Sequence, residues 1–271
     1  MPGVLWADPA FLRANQYRSD TNLRARQSIY AFQRPHVDLP RAVLDALGAE
    51  GGRPLSGPAG TVLDVGCGNG NYLAELGRRG HRGLLVGLDM SKGMLRAAGG
   101  ANPEAGLVAG DATSLPLADG SIDLVLAMHM LYHVPDPPAA VGELRRVLRA
   151  GGRLVVVLNA GDHLAQLRRA LRDAGDELGM LAGGFGERLR LEQGEPMLRR
   201  FFGVVERHDF VSELVLYDLE PVRSYISSMI SSEAMSPGRL EGYVRRALQR
   251  LSRGADGTVR ITTHPGCLVC S

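Results

Sequence analysis
The segment Val62-Leu-Asp-Val-Gly-Cys-Gly-Asn-Gly70 constrains the fold of this chain more than any other. A short apolar run reads as a strand. It ends in a turn with glycine at 66, 68 and 70, and a helical pattern begins near Asn71. Glycine has no Cβ, so the backbone of Gly66, Gly68 and Gly70 can come close to a bound ligand. The carboxylate of Asp64 stands just before the turn, at the C-terminal end of the strand. A pyrophosphate disfavours that neighbour and an ammonium group favours it, which tilts the reading away from a nicotinamide dinucleotide.

The middle of the chain repeats this strand and helix unit. Short apolar runs at 61–65, 84–88, 106–109, 122–128 and 153–159 alternate with helical stretches at 71–79, 92–98 and 138–148. The spacing predicts a parallel sheet covered by helices on both faces. Residues 8–47 read as helices, with Asp8-Pro9 as cap and first-turn proline, and the Gly- and Pro-rich residues 48–60 as a linker. Beyond Asn159 an arginine-rich amphipathic helix is expected over 162–178 and a mobile loop with a short helix over 179–203. One strand is expected over 204–217 and one over 258–269, with helices at 220–230 and 238–253 between them as a lid. The division that follows is a helical cap and linker over 1–54 and a catalytic domain over 55–271, with insertions around 160–203 and 219–253.

Composition narrows the class. The 271 residues, 45% hydrophobic and 22% charged, are globular in character and enough for a sizeable core, which excludes disorder, collagen and coiled coil. A formal charge of +2 argues against a nucleic-acid partner, because phosphate contacts need a basic face. Cys67, Cys267 and Cys270 are too few for a disulfide framework and fit a reducing compartment. No apolar run approaches the roughly 20 residues of a membrane span, and Met1 to Ala10 hold no signal-peptide core. The expectation is a cytoplasmic protein with no membrane partner. Lys92 is the only lysine, so a proton acceptor active near neutrality is expected to be histidine.

Further signals fall at the ends of successive strands. Asp89 closes Val86-Gly-Leu-Asp89, where a carboxylate can accept both hydroxyls of a ribose, and Met90 follows it. Gly110-Asp-Ala112 ends the next strand and can present Asp111 to an adenine amino group. Ile122 to His129 runs into Leu131-Tyr-His133 at the same sheet edge, and Leu148 to Val157 is a helix end, a glycine cap and a strand. In this order the segments closely resemble the class I S-adenosylmethionine-dependent methyltransferases, in the small-molecule branch called methyltransferase type 11 or UbiE-like, over about residues 55–160. The resemblance implies an α/β fold. It has a Rossmann-like, doubly wound, mostly parallel seven-stranded sheet with an antiparallel last strand, an N-terminal helical cap and helical lid insertions. It implies S-adenosylmethionine as cofactor, with Asp64, Gly66, Cys67, Gly68 and Gly70 at its methionine part. Asp89 and Met90 would then lie at the ribose, Asp111 and Ala112 at the adenine, and His129 beside the transferable methyl. Within Tyr17 to Gln33, Asn22-Leu-x-Ala-Arg26 resembles the cap of bacterial methyltransferases of specialised metabolism. That makes Arg26 the candidate for the cofactor carboxylate, and Tyr17, Tyr30, Tyr132 and His133 candidates for the acceptor.

Methyl transfer from a sulfonium is an in-line displacement, so the enzyme's main tasks are alignment and removal of water, and no metal is required. A phenol, amine or carbon acid must still lose a proton, and His129 and His133 are expected to take it. The plainer alternative is that His133 caps a helix start and His129 bonds the backbone. His264-Pro-Gly-Cys267-Leu-Val-Cys270 contains a CxxC, but strand alternation and the lack of a second ligand pair argue against zinc. Arg168, Arg169, Arg172, Arg188 and Arg190 read as a solvated helix face, and Cys67 as a space-filling residue. The expected activity is transfer of a methyl group to O, N or C of a small specialised metabolite, as in antibiotic biosynthesis, leaving S-adenosylhomocysteine. The alternatives are an RNA or protein methyltransferase and a protein that binds the cofactor without methylating.

Overall fold
Alternating apolar side chains give the main sheet two buried faces, and the helices on each face hold the strands in register. The computed structural model describes residues 8–49, 60–175, 188–230 and 235–271. Most of the expected linker, and the Gly-Gly-Phe-Gly part of the expected 179–203 loop, lie outside them. The strands are β1 (Gln33–Arg34), β2 (Val62–Val65), β3 (Leu85–Asp89), β4 (Gly106–Ala109), β5 (Ile122–Met128), β6 (Leu148–Asn159), β7 (Val205–Asp209), β8 (Ser212–Leu216), β9 (Val259–Thr263) and β10 (Pro265–Cys270). The α-helices are α1 (Pro9–Phe11), α2 (Thr21–Ser28), α3 (Leu39–Ala49), α4 (Asn71–Arg78), α5 (Lys92–Ala101), α6 (Pro137–Val147), α7 (Ala165–Asp173), α8 (Leu191–Leu198), α9 (Glu220–Met229) and α10 (Pro237–Gln249).

Seven strands form the main sheet in the order β4-β3-β2-β5-β6-β10-β7. The first five are parallel, and β10 runs antiparallel to both β6 and β7. Leu63, Val65, Val125, Ala127, Val156 and Leu158 face a core shared with α6 and α8. Their neighbours Val62, Leu124, Leu126, Val155 and Val157 face the core under α3 and α4. Cys267 belongs to the second face and Cys270 to the first, so the two thiols lie on opposite sides of β10 and cannot share a metal ion. Because β2 pairs with β3 on one side and β5 on the other, a crevice opens at the C-terminal ends of these three strands.

A second sheet, antiparallel in the order β1-β8-β9, departs from the sequence reading. The run 204–217 is two strands broken at Phe210-Val211, with β7 in the main sheet and β8 in the small one. The run 258–269 is likewise broken at His264 into β9 and β10, and residues 33–34, expected in a helix, pair with Glu213 and Leu214. Alternation records which side of a strand is buried, not which sheet it joins, so the bends leave no trace in the pattern. The two bends meet, with His264 Nε2 2.7 Å from Asp209 Oδ1 and Nδ1 2.7 Å from Asp162 Oδ1. Leu214, Leu216, Val259 and Ile261 pack with α7, α9, α10, Leu12 and Ile29 in a core of their own. Helix α8 packs instead on the main sheet, so the expected 160–203 insertion is divided between the two cores.

The N-terminal segment lies across the crevice. Ser91 caps α5 by accepting the Met94 N–H, and its hydroxyl donates to the Tyr17 carbonyl. A Cβ on Gly93 would lie 2.0 Å from the Arg18 carbonyl oxygen, so this docking needs glycine there. Gly93→Ala is expected to lift the segment off α5. Hydrogen exchange should rise across residues 12–34 and stay unchanged in β2, β5 and β6; equal protection of residues 12–34 in both proteins would contradict this.

Candidate functional site
A cavity of about 650 Å3 opens at the ends of β2, β3 and β5 under the N-terminal segment and α9. It gathers almost all the residues singled out in the sequence. Tyr17, Arg26, Tyr30, Asp64, Gly66, Cys67, Gly68, Asp89, Met90, Asp111, Ala112, His129, Tyr132 and His133 all line it. Gly70 does not. It adopts φ of 79° at the start of α4, and a Cβ there would lie 2.5 Å from Asn102 Nδ2 and 3.1 Å from the Ala98 Cβ. The third glycine of the turn therefore serves the packing of α4 on α5 rather than ligand approach.

At one end of the cavity are two carboxylates. Asp64 is 1% exposed, and neither of its oxygens has a hydrogen-bond partner. Burial, reinforced by the nearby Asp89 charge, pushes its pKa up to about 8. Asp89 is braced differently, with Oδ2 accepting the Gly68 N–H at 3.0 Å and Oδ1 the Ser91 N–H at 2.8 Å. Burial raises its pKa, and those two N–H groups oppose the rise. The Leu88 carbonyl accepts the N–H groups of Gly66 and Cys67 at 2.7 and 3.0 Å, which pins the turn at its other end. Gly66 and Gly68 have φ of 68° and 55°, and a Cβ on Gly66 would lie 2.8 Å from the Met130 Cβ. Burial pushes the Cys67 thiol up, which fits a filler and not a nucleophile. At the rim Asp111 uses Oδ1 on the Thr113 N–H and hydroxyl, both 2.8 Å away.

Another part of the lining is aromatic. Tyr17, Tyr30, Tyr132 and Tyr225 line it with Arg26, and burial raises the pKa of every one of these phenols while the Arg26 charge draws it down. Arg26 donates to Gln16 Oε1 at 3.0 Å and the Ser228 carbonyl at 3.1 Å, and lies 5.4 Å from the Tyr17 ring centroid. Tyr17 Oη is 2.9 Å from His133 Nε2. The Tyr17 hydroxyl therefore occupies Nε2 of His133. The His129 ring, by contrast, hydrogen-bonds no described protein group. Burial pulls its pKa down to about 4, and its backbone has φ of 54°, rare outside glycine.

Sequence reasoning missed His163, Tyr225 and Gln33, which also line the cavity. His163 carried a usable signal, since it follows the end of β6 much as His129 follows β5. The other two come from the lid and the N-terminal segment, where strand-end position is no guide. Among the described residues no group of three or more His, Cys, Asp or Glu side chains is placed to hold a metal ion.

Residues 63–156 match the family described as a methyltransferase domain. The chain is 33% identical over 215 residues to an uncharacterized methyltransferase of Mycobacterium tuberculosis, covering 77% of this chain and 79% of the relative. It is 43% identical over 116 residues to the demethylmenaquinone methyltransferase of Beutenbergia cavernae, covering 43% of this chain and 45% of that one. The fold is similar to the crystal structure of a putative methyltransferase from Bacillus halodurans, with a TM-score of 0.57 and 19% identity over 84% of this chain and 96% of that chain. The chain belongs to the class I S-adenosylmethionine-dependent methyltransferases. It is an enzyme whose methyl donor is S-adenosylmethionine.

The state of Asp64 makes stability depend on pH. Between about 4 and 8 the unfolded carboxyl is ionised while the folded one keeps its proton, so stability falls as pH rises through this window. Asp64→Asn is expected to flatten that slope and raise the melting temperature of the ligand-free protein at pH 8 relative to wild type. Thermal melts at pH 6 and 8 showing the wild-type slope in the variant would contradict this.

Proposed function
We propose that this enzyme methylates a small molecule, a specialised metabolite, at an O, N or C atom held in the aromatic half of the cavity, and that residues 1–54 serve as a cap on a catalytic domain over 55–271. The observation that carries this is the covering of the cavity by the N-terminal segment and α9. The space of about 650 Å3 is roofed by Tyr17, Arg26 and Tyr30 from the N-terminal segment and by Tyr225 from α9. Such a volume suits a drug-sized ligand. A nucleic acid or a folded protein would have to displace that roof. Among the described residues no helix is long and apolar enough to cross a membrane.

The donor end fits the cofactor. A buried carboxylate with no partner beside a glycine turn suits an ammonium group, so Asp64, Gly66, Cys67 and Gly68 would hold its methionine part. Asp89 keeps lone pairs for the ribose while bracing the turn, Met90 lies beside it, and Asp111 and Ala112 would meet the adenine. Arg26 is our candidate for the carboxylate. When bound, the cofactor supplies an activated methyl, and the protein's part is alignment and exclusion of water. His129 is the proton acceptor at Nδ1 or Nε2, because it is neutral and its ring is open to the cavity. His133, whose Nε2 is held by Tyr17, fixes the roof with Tyr17, and Tyr132 packs between the rings of the two histidines.

Ionising Asp64 against an ammonium releases its proton. Cofactor binding at pH 7 is therefore expected to release a large part of one proton, read by calorimetry in buffers of different ionisation enthalpy. Asp64→Asn should bind with no release; equal release from the variant would remove Asp64 from this role. For turnover, S-adenosylhomocysteine formation is measured with a panel of phenols, amines and carbon acids. His129→Asn should lower kcat by roughly 10² to 10⁴ with cofactor affinity little changed. In the wild type, kcat should fall as pH drops toward about 4, where His129 takes up a proton. Full activity in the variant would rule out the base.

A further inference from the structure
We propose that His163 is a positioning residue that holds Tyr30 as a hydrogen-bond donor toward the acceptor, so that the enzyme selects small molecules carrying an oxygen that accepts a hydrogen bond, such as a carbonyl. This rests on the small-molecule reading above and adds a polarity to its pocket.

His163 Nδ1 accepts the backbone N–H of His264 at 2.9 Å. A neutral imidazole has one N–H, so the proton sits on Nε2, and Nε2 lies 3.2 Å from Tyr30 Oη. His163 therefore donates to Tyr30. The Tyr30 hydrogen must point elsewhere, and among the described residues no other hydrogen bond to this hydroxyl exists, while Tyr30 lines the cavity. Two conditions keep this polarity fixed. Burial, helped by the Arg168 charge, lowers the His163 pKa to about 3, so the ring stays neutral. Burial raises the Tyr30 phenol well above its usual range, so the hydroxyl keeps its hydrogen.

The backbone around His163 is rigid. Arg168 donates to the carbonyls of His163 and Gly161, and the Leu164 N–H bonds Thr262 O at 2.8 Å. Leu164 has φ of 53°; among the described residues only Leu164 and His129 adopt positive φ without being glycine. Such conformations persist where the surroundings over-determine them, often at functional sites. Tyr17 forms the other Tyr–His pair, its hydroxyl 2.9 Å from His133 Nε2. Of the two Tyr–His pairs that tie the N-terminal segment across the cavity, the Tyr30 pair is the one in which a backbone N–H on the histidine's other nitrogen fixes the direction.

The test uses the full chain saturated with S-adenosylhomocysteine and two phenols of similar shape, 4-hydroxyacetophenone and 4-ethylphenol, titrated by NMR. Wild type is expected to bind the ketone at least about tenfold more tightly, because the unmatched donor is left bare by the other phenol. Tyr30→Phe should erase the difference, and His163→Leu, which frees the Tyr30 hydroxyl to rotate, should shrink it severalfold. Unchanged S-adenosylhomocysteine affinity shows that both variants are folded. With ¹⁵N-labelled histidine, His163 should stay neutral with its proton on Nε2 from pH 5.5 to 8. Equal binding of both phenols by wild type, discrimination that survives in Tyr30→Phe, or a proton on Nδ1 overturns this proposal alone. Binding of neither phenol overturns the small-molecule reading and this proposal with it.

Discussion
A carboxylate buried with no hydrogen-bond partner is among the least favourable things a fold can contain, and the site is organised around one. Asp64 sits at the end of β2, beside a turn that the Leu88 carbonyl and the Asp89 carboxylate hold from two sides. Without a ligand the site is electrostatically incomplete, and the protein answers by keeping the carboxyl protonated. On the placement proposed above, a donor carrying an ammonium and a sulfonium would supply the missing charge. After transfer the sulfur is neutral, so a site with two carboxylates holds the product with one fewer favourable charge than the donor. The same electrostatics that favour loading thus favour release.

The aromatic half depends on a different constraint. Its walls come from parts of the chain far apart in sequence, and they meet only because the N-terminal segment is tied down at several points. Asn69 reaches Gln27 at 3.1 Å, Gln33 reaches Thr263 at 2.9 Å, and Arg26 reaches the Ser228 carbonyl at 3.1 Å. The two strand bends at Phe210-Val211 and His264 bring the small sheet to where Gln33 can find Thr263. Each tie is a modest hydrogen bond, worth on the order of 1 kcal/mol, and the roof depends on their sum.

This division explains what was legible in the sequence. The five parallel strands, the glycine turn, Asp64 and Asp89 follow from local patterns, because strand, turn and helix here are neighbours in the chain. The second demand on Gly70 was not legible for a local reason: its positive φ belongs to the turn, but its close packing against Asn102 appears only once that neighbour is known. The small sheet and the core it forms with α7, α9 and α10 were not legible, since they depend on which sheet a strand joins and which element faces which. Hydrophobic alternation is silent on both.

Histidines show why residue type alone does not assign chemistry. His129, His133 and His163 line one cavity, yet their partners separate them. His133 Nε2 is paired with Tyr17, His163 receives a hydrogen from the backbone and passes its own to Tyr30, and His129 is left open. Two of those three partners are supplied by the N-terminal segment and one by the bend before β10. A substitution in the roof can therefore change which acceptor is held, and how its oxygens are read, while β2, β3 and the donor end keep their geometry.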